Sequence, residues 1–182
     1  PDSIKYYLEQ PKKIKVFSWD GEKDTLLSPL DSVRYYKRFL QAGFLAMDPN
    51  SGHIKAWVGG IDYKYFQYDH VKQGKRQPGS TFKPIVYTVA IDNGYSPCYE
   101  VVDAAVSYTV PGQIPPVWRP NNSSGKYSGE VMTIRQAMAR SVNSITAFIM
   151  SKVGPSNVVD YARKLGFTSP LNAVPSLCLG TD

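Results

Sequence analysis

Ser80 and Lys83 stand three residues apart in Arg76-Gln77-Pro78-Gly79-Ser80-Thr81-Phe82-Lys83-Pro84, where a glycine-proline loop gives way to an apolar run. A serine hydroxyl is a weak nucleophile and needs an adjacent base. A lysine amine can be that base when burial and nearby positive charge keep it neutral. If a helix begins near Ser80, positions i and i+3 share a face with Cβ atoms ~5–6 Å apart, so the amine can reach the hydroxyl. The serine also stands at the positive end of that helix. Such a pair is suited to acyl transfer through a covalent acyl-serine.

The spacing alone is not specific, because Ser123-Ser124-Gly125-Lys126 satisfies it too, inside a polar loop with no apolar periodicity behind it. Context separates the two. After Lys83 come Pro84, tolerated in a first helical turn, and the run Ile85 to Ile91, which Asp92-Asn93-Gly94 closes with Gly94 as a left-handed terminator. The competing reading makes Ser80 an N-cap and Lys83 a solvated first-turn residue, where a lysine opposes the helix dipole. A second polar group, Ser141-Val142-Asn143, is the only Ser-x-Asn in the sequence. Its hydroxyl and amide could face a cleft, one relaying a proton and the other holding a peptide. Both residue types are also ordinary helix caps.

These residues need elements to hold them. Residues 1 to about 40 alternate charged and apolar positions; Val16 to Trp19 and Thr25 to Leu27 read as short strands around the Asp20-Gly21 turn, and Asp31 opens a helix through Val33, Tyr36 and Leu40. Gly43 to Gly60, with a turn at Asp48 to Gly52, reads as a hairpin that begins a sheet. An aromatic loop (Tyr63, Tyr65, Phe66, Tyr68) leads to Ser80. Beyond Gly94 lies a proline-rich irregular stretch containing Pro97, Pro111, Pro115, Pro116 and Pro120. Thr133 and Gln136 then form a capping box that opens a helix. A second helix runs from Ile145 to Val153, and a third, capped by Ser156, from Asn157 to Leu165.

With 42% apolar and 13% aromatic residues over 182 positions, the chain can bury a core. A net charge of +6, spread over scattered clusters, permits an anionic partner without requiring one. Cys98 and Cys178 show no metal-ligand spacing and read as structural or free thiols, with a disulfide left open. No apolar run approaches the ~20 residues of a membrane span. The start lacks both methionine and a signal peptide, so the sequence reads as an excised piece of a longer protein. His53 and His70 fit no triad or metal spacing.

The order Ser-x-x-Lys, then Ser-x-Asn across a mostly helical stretch, resembles the penicillin-interacting serine acyltransferases. Residues Arg76 to Pro84, the Gly43 to Gly60 hairpin and Tyr127-Ser128-Gly129-Glu130-Val131-Met132-Thr133-Ile134-Arg135-Gln136-Ala137 look like the transpeptidase domain of class A, bifunctional penicillin-binding proteins. Asp31 to Tyr36 looks like the linker that precedes it. The resemblance implies an α+β fold, an antiparallel sheet flanked by helices, cut before its later core strands. It also implies a linker over residues 1–40 and the front part of the domain over 41–182. The family's third motif, Lys-Thr-Gly or Lys-Ser-Gly on a core strand, is absent.

From the same resemblance, Lys83 takes the proton from Ser80 as it attacks the carbonyl between two D-alanines of a peptidoglycan stem peptide. Ser141 relays a proton to the leaving amine, and Asn143 holds the substrate amide. Trp118 and Asn121 line a substrate groove; for them and for Asn122 the alternative is an ordered loop. Arg76 either orients its loop or is a surface charge. No cofactor or metal is implied. The expected partners are stem peptides, β-lactams and cell-wall synthesis proteins, with no nucleic acid. The parent is expected to carry a glycosyltransferase domain and a membrane anchor at the outer face of the cytoplasmic membrane. The piece itself is expected to be soluble and, lacking the third motif, inactive. One rival is a serine β-lactamase, against which stands the absence of any glutamate after Glu130. Another is a non-catalytic glycan- or nucleic-acid-binding module built on Tyr35 to Phe39 and Tyr63 to Tyr68.

Overall fold

The computed structural model describes residues 2–110, 112, 114 and 116–181. The chain divides into two compact units, residues 1–75 and 76–182.

The first unit opens with α1 (Asp2–Glu9), a helix beyond those its sequence pattern predicts, and the hairpin of β1 (Lys12–Val16) and β2 (Lys23–Leu27). The first strand begins earlier than expected because the ladder runs from Lys12 opposite Leu27 to Val16 opposite Lys23. That register leaves Phe17, Ser18 and Trp19 for the connection. The helix expected from Asp31 to Leu40 is α2 (Pro29–Tyr36): Ser28 caps it by accepting the Asp31 N–H at 3.1 Å, and Pro29 fits the first turn. The Phe17 ring packs against Phe39 and Phe66 edge to face, with centroids 5.1 and 5.4 Å apart, and Tyr36 stacks on Tyr65. These rings form a small, half-buried aromatic cluster, while Tyr63 and Tyr68 stay exposed. The expected hairpin is present as antiparallel β3 (Phe44–Met47) and β4 (Ile54–Val58). Its turn is closed by Asp48, whose carboxylate accepts the Asn50 N–H and whose carbonyl accepts the Gly52 N–H.

In the second unit a 3₁₀ turn (Gly79–Phe82) runs directly into α3 (Lys83–Asp92). Gly94, at φ +88°, ends α3 as expected: Tyr95 N–H returns to Ala90 O and Gly94 N–H to Ile91 O. The following stretch is more regular than its prolines suggested. It contains β5 (Glu100–Val102), β6 (Tyr108–Thr109), β7 (Val117–Trp118) and β8 (Val131–Thr133), with β5 antiparallel to β8 and β6 to β7. Pro111 and Pro115 lie outside the described residues.

The Thr133–Gln136 capping box starts α4 (Ile134–Ala139), as its sequence implied. α5 (Asn143–Val153) begins two residues before the expected start. α6 (Pro155–Lys164) is entered from Gly154 with Pro155 in its first turn, so Ser156 lies inside the helix and does not cap it. A final 3₁₀ turn covers Pro175–Leu179. α5 is the centre of the core, with Ile145, Ala147, Ile149 and Met150 fully buried against Val86 and Ala90 of α3, Val158 and Ala162 of α6, and Leu177. Helices with antiparallel ladders give the expected α+β class.

Candidate active site

Lys83 is the first residue of α3 and is 2% exposed. An amine buried there needs acceptors, and α5 and the turn before it supply them. Lys83 Nζ is 2.7 Å from Ser141 O, 2.9 Å from Ser141 Oγ and 2.6 Å from Asn143 Oδ1. Three acceptors match the three donors of an ammonium. They also suit the neutral amine, which donates to Ser141 O and Asn143 Oδ1 and accepts from the Ser141 hydroxyl. The site is therefore satisfied in both protonation states, as a group that takes and returns a proton requires. Burial pushes the Lys83 amine below the usual lysine value, opposed by Cys178. That thiol is itself buried and pushed up to about 12, so it is uncharged near neutrality. Cys98 is exposed, and both cysteines are free.

Ser80 is exposed in the 3₁₀ turn, and its carbonyl accepts the Lys83 N–H. Among the described residues its hydroxyl has no hydrogen-bond partner, and Lys83 Nζ is turned to Ser141 and Asn143 instead of reaching it. The i, i+3 eclipse of a 3₁₀ segment brings the two residues to one face, but three acceptors across the site outweigh one. Ser80 is held from behind. Gly79 N–H donates to Gly180 O at 3.1 Å, and Gln77 Nε2 donates to Thr181 O at 2.7 Å. Gly180 has φ +66°, and a Cβ there would lie 2.2 Å from Gly79 O. Only glycine fits this approach.

Ser141 carries an unusual backbone. Its φ of +56° makes it the one non-glycine residue with positive φ among the described residues. It stands where a glycine would end α4: Ser141 N–H donates to Met138 O and Val142 N–H to Ala137 O. A β-carbon in this region costs roughly 1–2 kcal/mol, so the turn must be held by its surroundings. Part of that hold is the pair Tyr87 OH and Thr146 Oγ1, 3.0 Å apart, with Thr146 Oγ1 donating onward to Val142 O at 2.8 Å. The result is a serine hydroxyl on the exposed side of the Lys83 amine, where a glycine would offer none.

Of the other residues singled out from sequence, Asn121 meets Asn143 through its backbone: Asn143 Nδ2 donates to Asn121 O at 2.8 Å, while the Asn121 side chain accepts from Tyr127 OH. Trp118 stands apart from the Lys83 cluster. It packs on Tyr108 and, with Val174, Ser176 and Thr181, lines a cleft of about 370 Å³ beside the segment that holds Gly79. Arg76 is exposed. The rival pair Ser123 and Lys126 lies on an exposed loop in which Ser124 Oγ donates to Lys126 O, with no buried amine. Two residues that the sequence did not flag, Asp103 and Gly180, prove close to the site, and Asn122 has a defined contact with α5. Their sequence signal was slight: an acidic residue just after the short β5 strand and a glycine near the end of the sequence. No group of three or more His, Cys, Asp or Glu that could hold a metal occurs among the described residues. No described helix is long and apolar enough to cross a membrane.

Comparison with known proteins identifies the family. The family model described as penicillin binding protein transpeptidase domain matches residues 25–174, and that of the penicillin-binding protein middle domain matches residues 1–40. Penicillin-binding protein 1A of Neisseria meningitidis is 39% identical over 143 residues, covering 78% of this chain and 18% of the relative. Penicillin-binding protein 2D of Bacillus subtilis is 36% identical over 143 residues, covering 79% and 20%. The crystal structure of penicillin-binding protein 1A from Haemophilus influenzae superposes with a TM-score of 0.70 at 28% identity, covering 77% of this chain and 21% of that one. The chain thus spans about a fifth of the length of these curated relatives. With its transpeptidase match extending over most of its residues, the chain belongs to the penicillin-binding protein transpeptidase family.

Proposed function

We propose that this chain carries the acylating half of a peptidoglycan D,D-transpeptidase site. The observation that carries the reading is the buried Lys83 amine held by Ser141 and Asn143 in the turn after Ser80. Ser80 attacks the carbonyl between two D-alanines of a stem peptide, its proton passing to Lys83 directly or through the Ser141 hydroxyl. Ser141 then returns a proton to the leaving D-alanine amine, and Asn143 holds the substrate amide through its side chain. The Ser80 N–H stands in a first turn, where backbone donors lack intrahelical partners, and serves as one oxyanion donor; loss of such a donor typically costs ~2.7–4 kcal/mol of barrier. An amine from a neighbouring strand resolves the acyl-enzyme and forms the cross-link. Trp118 and Asn121 border the substrate groove. Residues 1–40 act as the linker and 41–182 as the front part of the domain, in a protein that works at the outer face of the cytoplasmic membrane with β-lactams as inhibitors.

The sequence has no Lys-Thr-Gly or Lys-Ser-Gly, so the substrate carboxylate lacks that partner in the 182 residues alone, and these alone do not turn over. Fluorescent penicillin tests both parts. A longer form that includes a Lys-Thr-Gly strand is expected to give a stable adduct, and the 182-residue chain none. Loss of the adduct within seconds would make the protein a β-lactamase, and labelling of the short chain would overturn its incompleteness.

A further inference from the structure

Val142 occupies the N-cap position of α5 and has no side-chain oxygen for the first amides of the helix. The cap comes from a distant loop. Asn122 Oδ1 accepts the Asn143 N–H at 3.0 Å and the Ser144 N–H at 3.1 Å. Asn122 is itself held, its Nδ2 donating to Asp103 Oδ1 at 2.8 Å and to Lys126 O at 3.2 Å.

Asp103 is 4% exposed, and four donors converge on its carboxylate. Ser144 Oγ joins Asn122 Nδ2 on Oδ1, while the N–H and Oγ of Ser128 both lie 2.8 Å from Oδ2. Ser144, fully buried, therefore meets both members: its hydroxyl binds Asp103 and its N–H binds Asn122. Burial acts to raise the Asp103 carboxyl, but the hydrogen bonds from Ser144, Ser128 and Asn122 outweigh it and hold the group below the usual carboxylate range. A fixed negative charge thus stands behind the start of an 11-residue helix, where the dipole favours it.

The helix start so fixed is the residue whose side chain grips the lysine. Asn143 is held at its N–H by Asn122, at Nδ2 by Asn121 O, and offers Oδ1 to Lys83. We infer that Asp103 and Asn122 are a positioning couple for the acylation site: Asp103 orients the Asn122 amide, and Asn122 sets the first turn of α5 so that Asn143 Oδ1 stays on Lys83 Nζ. The inference rests on the reading of Lys83 and Asn143 as parts of that site. Neither member of the couple touches a reacting atom.

NMR on this chain separates positioning from bulk stabilisation. In Asn122→Ala, hydrogen exchange at the Asn143 and Ser144 amides is expected to rise about five- to tenfold relative to the rest of α5. The Lys83 titration, followed at its Cε, is expected to move up towards the ordinary lysine value as water enters. Asp103→Asn should show the same changes, and it carries the measurement if Asn122→Ala does not fold. The swap Asp103→Asn with Asn122→Asp keeps an acceptor on the Asn143 and Ser144 amides and a donor opposite it, and should restore slow exchange there although the bond to Lys126 O is lost. Ser128→Ala, which removes only the hydroxyl bond on the far oxygen of Asp103 and keeps the N–H bond, should lower Tm and leave both readouts unchanged. If the single variants lower Tm while exchange at Asn143 and Ser144 and the Lys83 titration stay at wild-type values, the couple is merely structural and the inference fails. Failure of penicillin to acylate Ser80 in the longer form would instead remove the functional reading and leave these NMR outcomes to decide the positioning.

Discussion

Lys83 Nζ lies 2.6 Å from Asn143 Oδ1, joining the first residue of α3 to the first residue of α5. The contact ties the lysine to the wall opposite Ser80, so removing the amine should affect chemistry more than folding. In Lys83→Met of the longer form, the acylation rate constant with a penicillin should fall at least about 100-fold. The apolar side chain fills the buried site while Ser141 O and Asn143 Oδ1 lose a donor, a net cost of about 1–3 kcal/mol. Stopped-flow acylation and thermal melts read the two effects separately; a loss of rate in proportion to a loss of folded protein would contradict the assignment.

Lys83 must be neutral to accept a proton, and burial places its folded-state value below the ordinary 10.5. Acylation of the longer form should therefore rise with pH and level off before that value. The sign for stability follows: with the folded value depressed, the contribution is complete above 10.5 and is lost as pH falls through the folded-state value. A pH profile of acylation whose ascending limb has its midpoint at or above 10.5 would count against a desolvated base.

Ser141 occupies a glycine-type terminator, at φ +56°. Ser141→Ala and Ser141→Gly both remove the hydroxyl, but only glycine relieves the backbone, so the glycine variant should be the more stable by about 1 kcal/mol. Both should acylate poorly. Equal melting temperatures would show that the turn stores no strain.

Gly180 has no room for a β-carbon, since Gly79 O would lie 2.2 Å away. In Gly180→Ala the chain should lose about 2 kcal/mol or more of stability, and the Gly79–Ser80 segment should shift with it. Urea melts read the first effect, and amide chemical shifts at Gly79 and Ser80 the second. An alanine tolerated within about 0.5 kcal/mol would mean that the two segments do not hold each other.

Asp103 gives an acid-side prediction. Its carboxyl is depressed by its hydrogen bonds against the opposing effect of burial. The stability it contributes is present above its ordinary value of 3.8 and is lost as pH falls through the folded-state value. Between neutrality and about pH 3 the wild-type chain should therefore lose more stability than Asp103→Asn. Parallel acid limbs for the two proteins would contradict a buried, ionised Asp103.

How much of this was legible in the residues depended on how local the signal was. The Thr133–Gln136 box, the Gly94 terminator and the Gly43–Gly60 hairpin are written in adjacent residues, and the chain folds there as its sequence implied. The Ser80–Lys83 pair was visible for the same reason. The destination of the Lys83 amine was not, because its acceptors are 58 and 60 residues away in sequence and local geometry favoured Ser80. The cap of α5 was hidden more deeply. Val142 gives no capping signal, and Asn122 supplies the cap from a loop that reads only as polar. Short strands such as β6 and β7, two residues each, have too little pattern to be read and are set by their pairing.

The most direct test of the account is where penicillin attaches. After reaction of the longer form with a penicillin, peptide mapping by mass spectrometry should find the adduct on Ser80, and Ser80→Ala should abolish it while leaving the fold intact. An adduct on Ser141, Ser123 or any other residue, or labelling that survives Ser80→Ala, would contradict it.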